Sequence, residues 1–120
     1  MKRAPARGEI WYVKLPTDPQ DKPERPVVVV SHDARNKHPR ANTVLVAPLT
    51  GSIEHEVATR IRLSPGETGL NLFSCVKADD VTVVRKESLI EPRHPLRTLS
   101  NTRICQIADA VRIAMGCPVK

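Results

Sequence analysis

Four consecutive valines, Val27–Val30, place the strongest constraint on how this chain can fold. Successive side chains of a strand point to opposite faces, so an uninterrupted apolar run needs cover on both faces. Pro26 precedes the valines, at the start of a strand, where a missing N–H is tolerated. We therefore expect a strand at Pro26–Ser31 with a packed layer on each side.

Further segments have the short apolar or alternating pattern of strands. They are Glu9–Leu15, Asn42–Pro48, Glu56–Leu63, Leu72–Lys77 and Val81–Val84. In the segment 56–63 the pattern predicts an apolar inner face and a basic outer face. The inner residues would be Val57, Thr59, Ile61 and Leu63, and the outer ones Ala58, Arg60 and Arg62. We expect His32–Ala41 to be a basic surface loop, Pro65-Gly66 a turn, and Lys86–Ile90 a short helical turn.

The C-terminal part of the chain has the pattern of an amphipathic helix. Ser100 is a favourable N-cap, and Leu99 and Ile104 stand where a hydrophobic staple packs. An apolar stripe at helical spacing follows, and Gly116 is placed to end the helix. Its residues are Ile104, Ile107, Val111 and Ala114.

About six short strands followed by one helix predict a mainly β (α+β) fold, a small barrel closed by a terminal helix. A chain of 120 residues has room for one domain. We expect residues 1–7 to form a basic N-terminal arm and residues 8–120 to form the single domain.

The charge of the chain indicates a polyanionic partner. The formal net charge is +6 and the pI is about 9.7, which favours nucleic acid first and an anionic membrane second. A charge that serves only solubility is the alternative. The aromatic residues are few, namely Trp11, Tyr12 and Phe73, so we expect contacts to phosphate and backbone to dominate over rows of stacked rings.

The cysteines indicate a reducing compartment. Cys75, Cys105 and Cys117 are odd in number and have no C-x-x-C spacing, so we expect free thiols in the cytoplasm, with Cys75 and Cys105 in the core. We see neither a secretion signal nor an apolar run near the ~18 residues that a membrane span needs.

The sequence motifs of metal and nucleotide sites are absent. The four histidines lack the spacing of metal ligands, and there is no phosphate-binding glycine loop and no G-x-S-x-G. Asp79-Asp80 is explained by a turn as well as by an acid pair. We therefore expect no cofactor and no metal.

Several segments in a fixed order resemble the MazF/PemK family of toxins. They are Gly8–Trp11, Arg25–Ser31, Asn36 with Val44–Thr50, Thr68–Leu70 with Ser74–Val76, and Ile104–Gly116. The resemblance runs from about Gly8 to Gly116. It implies a metal-independent endoribonuclease on an SH3-like/CcdB-like, partly open barrel.

The resemblance also implies roles for individual residues. Arg25 and Thr50 correspond to the catalytic pair, and Lys77 and Asp79 to RNA-contacting residues of the turn after the fifth strand. We add Ser52 and His32 to the candidate RNA contacts. The family's usual Asp-Gln-hydrophobic-Arg reads Asp79-Asp80-Val81-Thr82 here, so its base preference does not carry over.

RNA cleavage at such a site would need little beyond alignment and charge stabilisation, because the ribose 2′-OH is the nucleophile. Arg25 would clamp the phosphate bidentately and protonate the leaving 5′-oxygen, and the Thr50 hydroxyl would donate to a phosphoryl oxygen. The general base is unassigned, with His32 one candidate. The family's products are a 2′,3′-cyclic phosphate and a 5′-OH. At strand ends we expect Arg25 and Thr50 to face solvent, so that their replacement leaves stability nearly unchanged.

The implied partners are single-stranded RNA, a second copy of the chain and an acidic antitoxin. Two other classes stay open at this point. One is a non-catalytic nucleic-acid-binding barrel, and the other is a gyrase poison of the CcdB type. The Arg-Pro and Pro-Leu-Thr motifs favour the endoribonuclease.

Overall fold

The computed structural model describes residues 3–15, 18–21, 23–51, 57–94 and 96–117. Within these ranges the strands are β1 (Ile10–Val13), β2 (Arg25–Val29), β3 (Thr43–Thr50), β4 (Arg60–Leu63), β5 (Ser74–Lys77) and β6 (Thr82–Arg85). The helices are α1 (Asp33–Asn36), α2 (Pro65–Thr68) and α3 (Asn101–Ala114), with 3-10 turns at Ala78–Asp80 and Lys86–Ser88.

The sheet is organised around β3. One edge of this strand pairs with β2, while the other edge pairs first with β6 and then with β5. β1 continues the sheet beyond β2, and β4 continues it beyond β5, all pairs being antiparallel. A backbone bridge between Tyr12 and Ile90 joins the chain after β6 to the free edge of β1. Strands β1, β2, β3 and β6 therefore close into a small barrel, from which β5 and β4 extend as an open wing.

Two apolar clusters fill this fold. The barrel interior holds Trp11, Val13, Leu15, Val27, Val29, Val44, Val46, Val84 and Leu89. The second cluster, between the sheet and α3, holds Ile10, Val28, Ala47, Leu49, Leu63, Val76, Ala78, Leu99, Ile104, Ile107 and Ala110. Alternate valines of β2 enter different clusters, so the two-sided burial that the valine run predicts is confirmed. The mainly β fold with a C-terminal helix is confirmed as well.

The N-terminal segment packs on the barrel. The Arg3 guanidinium lies 4.7 Å from the centroid of the Trp11 ring, and the Trp11 indole N–H donates to Glu9. Gly8 has φ +91°, and a Cβ there would lie 2.9 Å from the Leu99 carbonyl oxygen. Only glycine fits this close approach between the start of β1 and the entry to α3.

α3 begins and ends where the sequence predicts. The Ser100 hydroxyl accepts from the Arg103 N–H at 3.2 Å, and Gly116 has φ +84° just after the helix. The apolar stripe was predicted wrongly at its end, because Ala110 is buried whereas Ala114 is exposed. Cys105 also lies on the solvent side of α3, so its expected core position is wrong, while Cys75 is buried. No helix in the described part of the chain is long and apolar enough to span a membrane.

Several predicted boundaries need correction. β4 begins at Arg60, because residues 57–59 turn through solvent and leave Val57 half exposed. β5 begins at Ser74, with Leu72 exposed before it, and β3 extends to Thr50. The predicted loop His32–Ala41 contains the one-turn helix α1. Its Asn36 is fully buried and donates to the Ser31 carbonyl at 2.8 Å.

A partly buried ion pair joins α2 to α3. The Glu67 carboxylate accepts from Arg103 Nε at 2.7 Å and from the Ser64 backbone N–H at 3.0 Å. These contacts, the Arg103 hydrogen bond first, lower the pKa of Glu67. The stabilisation is therefore fully present above the ordinary pKa of a glutamate and is lost as the pH falls through the lowered pKa of the folded state.

We predict that Glu67→Gln lowers the free energy of unfolding by about 0.5–1 kcal/mol near neutral pH, the range of a solvent-screened pair. Urea unfolding across the acid range measures this. The difference from the wild type should vanish once the wild-type Glu67 is protonated. Glu87→Gln, in the exposed pair with Arg85, is the control and should change little. A deficit that is independent of pH would contradict the ion-pair explanation.

Candidate active site

One row of side chains crosses the sheet on the face that also lines the barrel interior. Residues directly opposite each other on paired strands share a face of the sheet. The register places Val13 opposite Arg25, Thr50 opposite Cys75, and Cys75 opposite Arg62. The β2–β3 register pairs Val27 with Pro48. Continued by two residues, it carries Arg25 to the position that faces Thr50. We call Val13, Arg25, Thr50, Cys75 and Arg62 the site row.

The site row lies where the apolar interior of the barrel ends. Its first member, Val13, is buried in the barrel cluster, and the adjacent row on the same face contains Trp11 and Val27. Toward β5 and β4 the same face becomes basic, with Lys77 opposite Arg60. Arg25 and Thr50 therefore lie between the apolar interior of the barrel on one side and the basic face of β5 and β4 on the other. Both side chains were expected to face solvent, but both residues are half-buried, because β3 extends to Thr50 and keeps them within the sheet.

Arg25 is held by a carboxylate that the sequence analysis does not identify. Arg25 Nη2 donates to Asp18 Oδ1 at 2.7 Å, and the Asp18 side chain is only 5% exposed. Asp18 Oδ2 accepts from the Leu15 backbone N–H at 3.1 Å. In the described part of the chain Asp18 engages one end of the guanidinium, so the other N–H groups can face a phosphate.

Asp18 could not be distinguished in the sequence. It lies in a polar, proline-rich loop that also contains Asp21, and Glu24 directly precedes Arg25. These neighbours are the ion-pair partners that sequence proximity suggests. The contact with Asp18 depends on how the chain turns between β1 and β2, which composition does not encode.

Lys77 and Asp79, the predicted RNA contacts, lie beside the site row and are ion-paired within the chain. Lys77 Nζ lies 2.8 Å from Asp80, and Asp79 lies 3.6 Å from Arg60 Nε. The second distance is too long for a hydrogen bond, and Arg60 Nε is buried without a hydrogen-bond partner in the described part of the chain. Lys77 and the turn after it therefore present a set of charges beyond the Cys75–Arg62 pair of the site row.

His32 is not brought to this site. Arg25 begins β2, and His32 follows the opposite end of the strand, so the length of β2 lies between them, about 13 Å at the rise of a strand. The His32 Nδ1 accepts from the Ala34 N–H at 2.9 Å and caps α1. Within one copy of the chain this geometry does not support His32 as the base beside Arg25, and its contact with RNA stays a prediction. Ser52 lies outside the described residues.

A second basic concavity lies at the opposite end of the barrel. This surface cavity of about 890 Å³ is lined by Arg3, Lys37, Arg85 and Lys86, among others. It adjoins the start of β3, while Thr50 is at the end of that strand. In the described part of the chain no three His, Cys, Asp or Glu residues group as metal ligands would.

The arrangement can bind and polarise a phosphodiester. A guanidinium fork and a hydroxyl on neighbouring strands can donate to the same phosphate, and both are positioned by the sheet rather than by a mobile loop. The buried Asp18 orients the guanidinium. This geometry suits a phosphate on which negative charge grows during reaction.

The comparisons with known proteins all indicate the same family. Residues 6–115 match the model of the PemK-like, MazF-like toxins of type II toxin–antitoxin systems. The probable endoribonuclease MazF5 of Mycobacterium tuberculosis is 34% identical over 117 residues, which cover 98% of each chain. Endoribonuclease MazF9 of the same organism is 29% identical over 114 residues, covering 89% of this chain and 92% of the relative.

Solved structures have the same fold. A mycobacterial endoribonuclease in complex with its cognate antitoxin is 25% identical, with a TM-score of 0.73 over 98% of this chain and 100% of the other. A MazE–MazF structure from Deinococcus radiodurans is 17% identical, with a TM-score of 0.73 over 97% and 100% of the two chains. The second likeness concerns the fold alone.

We predict that Arg25→Ala lowers the free energy of unfolding by about 1–3 kcal/mol, because it leaves the buried Asp18 carboxylate with the Leu15 amide as its remaining described partner. Thr50→Ala should cost less than Arg25→Ala, because it leaves no buried charge without its partner. Urea denaturation measures both. Adding Asp18→Asn to Arg25→Ala should recover part of the loss, since a neutral amide replaces the unpaired charge. An Arg25→Ala protein as stable as the wild type would contradict the role of this ion pair.

Proposed function

This chain belongs to the PemK-like, MazF-like toxins of type II toxin–antitoxin systems, and we propose that it cuts single-stranded RNA at the site row. As a member of that family it is an endoribonuclease. The observation that carries the proposed location is the β2–β3 register, which pairs Val27 with Pro48 and, continued by two residues, brings Arg25 and Thr50 to facing positions. The family match weighs against the non-catalytic barrel and the gyrase poison.

The proposed chemistry uses the substrate's own nucleophile. The 2′-oxygen attacks the adjacent phosphorus, the bond from phosphorus to the 5′-oxygen breaks, and a 2′,3′-cyclic phosphate and a 5′-OH result. The 2′-hydroxyl gives up its proton and the leaving 5′-oxygen takes one up. Arg25 clamps the phosphate and supplies the proton to the 5′-oxygen. The Thr50 hydroxyl donates to a phosphoryl oxygen, and no metal ion is required.

Lys77 and Asp79 would contact the RNA beside the scissile phosphate. Lys77 stands two residues beyond Cys75, the partner of Thr50, and Asp79 follows it in the turn, where the two side chains pair with Asp80 and Arg60. Asp79 can accept a hydrogen bond from a base edge, while Lys77 can neutralise a backbone phosphate. The enzyme would act in the cytoplasm, where messenger RNA is found.

We predict that the purified protein cleaves a long single-stranded RNA in the presence of EDTA. Arg25→Ala and Thr50→Ala should each reduce the cleavage rate at least ~100-fold, the usual cost of removing a group that stabilises a developing charge. Glu87→Gln, at an exposed residue near the opposite end of the barrel, is the control and should retain full activity. Cleavage that stops in EDTA and returns with a divalent ion would contradict the mechanism, as would a fully active Arg25→Ala protein.

A second copy of the chain would complete the RNA-binding groove. Large apolar side chains on the described surface are available for such an interface. They include Val57, Val83, Ile90, Ile113 and Met115. We predict a homodimer by light scattering, with burial of part of this surface. A monomer at micromolar concentration would contradict the prediction.

An acidic antitoxin would neutralise the enzyme. A segment rich in Asp and Glu can follow the same basic face as RNA, and apolar side chains in it would supply the tighter contacts. The complex of the 25%-identical mycobacterial endoribonuclease with its cognate antitoxin supports a partner of this kind.

We predict that RNA and the antitoxin exclude one another. The encounter with the antitoxin should accelerate at low salt, because exposed charges are screened over about 8–10 Å at physiological ionic strength. Stopped-flow association and cleavage assays with added antitoxin measure the two effects. Cleavage at the free rate by antitoxin-saturated enzyme would contradict a shared surface.

A further inference from the structure

The chain exposes its single phenylalanine on the face that holds the site row. Phe73 is 46% exposed, in contrast to the fully buried Trp11. The Arg62 guanidinium lies over the ring, 4.9 Å from its centroid. Phe73 stands two residues before Cys75, so it projects to the same face as Cys75, and Arg62 is a member of the site row. The pair is therefore part of the surface that contains Thr50.

The distance from this pair to the reacting centre suits one RNA strand. Thr50, Cys75 and Arg62 occupy successive strands, and neighbouring strands lie about 4.8 Å apart. Arg62 is thus about 10 Å from Thr50, measured across the sheet. A nucleotide next to the scissile phosphate can reach that far, and its base would then lie over β4 and β5.

The chemistry of the pair fits a nucleobase. Unpaired bases of RNA stack on aromatic rings and on the planes of arginine side chains, and each such stack contributes about 1–3 kcal/mol. The other cations of this face, Arg25, Arg60 and Lys77, are each paired with an aspartate. Within the described ranges Arg62 has no carboxylate partner and packs on Phe73 instead. An exposed cation beside the ring favours a polyanion over an apolar protein surface.

We propose that Arg62 and Phe73 form a stacking platform for a base of the RNA next to the scissile phosphate. This inference rests on the proposed function and extends its site by one binding subsite. Because every base presents a π face, the platform supplies affinity and strand alignment with little base selectivity. Loss of stacking should therefore raise KM and leave kcat nearly unchanged.

The test compares Phe73→Leu, which keeps an apolar side chain but removes the ring, with Phe73→Trp, which enlarges the ring. The adjacent, exposed Leu72→Ala is the matched control. Cleavage kinetics on a short RNA are measured together with the binding of a 2′-deoxy analogue that cannot be cut. A 2-aminopurine base placed in turn on each side of the cleavage site reports stacking by its fluorescence.

We expect Phe73→Leu to raise KM and the dissociation constant of the analogue about 5- to 150-fold, with kcat within about twofold. The 2-aminopurine at one position should be quenched by the wild type and not by Phe73→Leu. Phe73→Trp should bind at least as tightly as the wild type. Leu72→Ala should match the wild type.

Two results would reject the platform, and a third would separate RNA binding by the platform from the proposed cleavage activity. Unchanged RNA binding by Phe73→Leu would reject the platform and leave the cleavage site untouched. A Phe73→Leu protein that dissociates from dimer to monomer would also reject it, because the ring would then lie between two copies of the chain. A wild-type protein that binds RNA through Phe73 but cuts none would support the platform and contradict the proposed function.

Discussion

The change of partner along β3 is the constraint on which the rest of the structure depends. Residues 43–46 of this strand pair with β6 on one edge, whereas Leu49 and Thr50 pair with β5 on the same edge. Pro48, which has no N–H to donate, stands in the interval between the two partners. The first half of β3 therefore closes a barrel, and its last residues carry the open wing that presents Thr50 beside Arg25.

The barrel and the open wing share one continuous face of the sheet, which is apolar in the barrel and charged in the wing. In the barrel, Trp11 and alternate valines fill this face and form an apolar support. The Trp11 indole N–H donates a hydrogen bond to Glu9. In the wing, the same face carries charged side chains around the buried Cys75. Arg25 and Thr50 lie at the boundary, where a rigid sheet fixes their backbones and solvent or substrate can reach their side chains.

Much of the fold was predictable from local pattern. The cap at Ser100, the staple of Leu99 and Ile104, and the valine run of β2 each determine a local structure within a few residues. The register between β2 and β3 was not predictable, because strand pairing depends on contacts distant in sequence. For the same reason the partner of Arg25 was missed, and His32 was placed near Arg25 although β2 separates them.

The residues that resemble the toxin family divide into two groups with different physical roles. Gly8 allows close backbone packing, Asn36 satisfies buried polar groups beside α1, and Gly69 takes φ +83° to end α2. These residues explain why the fold is shared. The candidate chemistry depends on far fewer residues, chiefly Arg25 and Thr50 with Asp18 behind them, and these supply only a small part of the resemblance.

A crystal structure with an RNA whose 2′-hydroxyl at the cleavage position is replaced by hydrogen tests the central claim most directly, because such a substrate binds but cannot react. The account predicts the scissile phosphate between the Arg25 guanidinium and the Thr50 hydroxyl, with Asp18 still bound to Arg25. An RNA strand bound at the opposite end of the barrel, in the cavity lined by Arg85 and Lys86, with the site row empty, would contradict it.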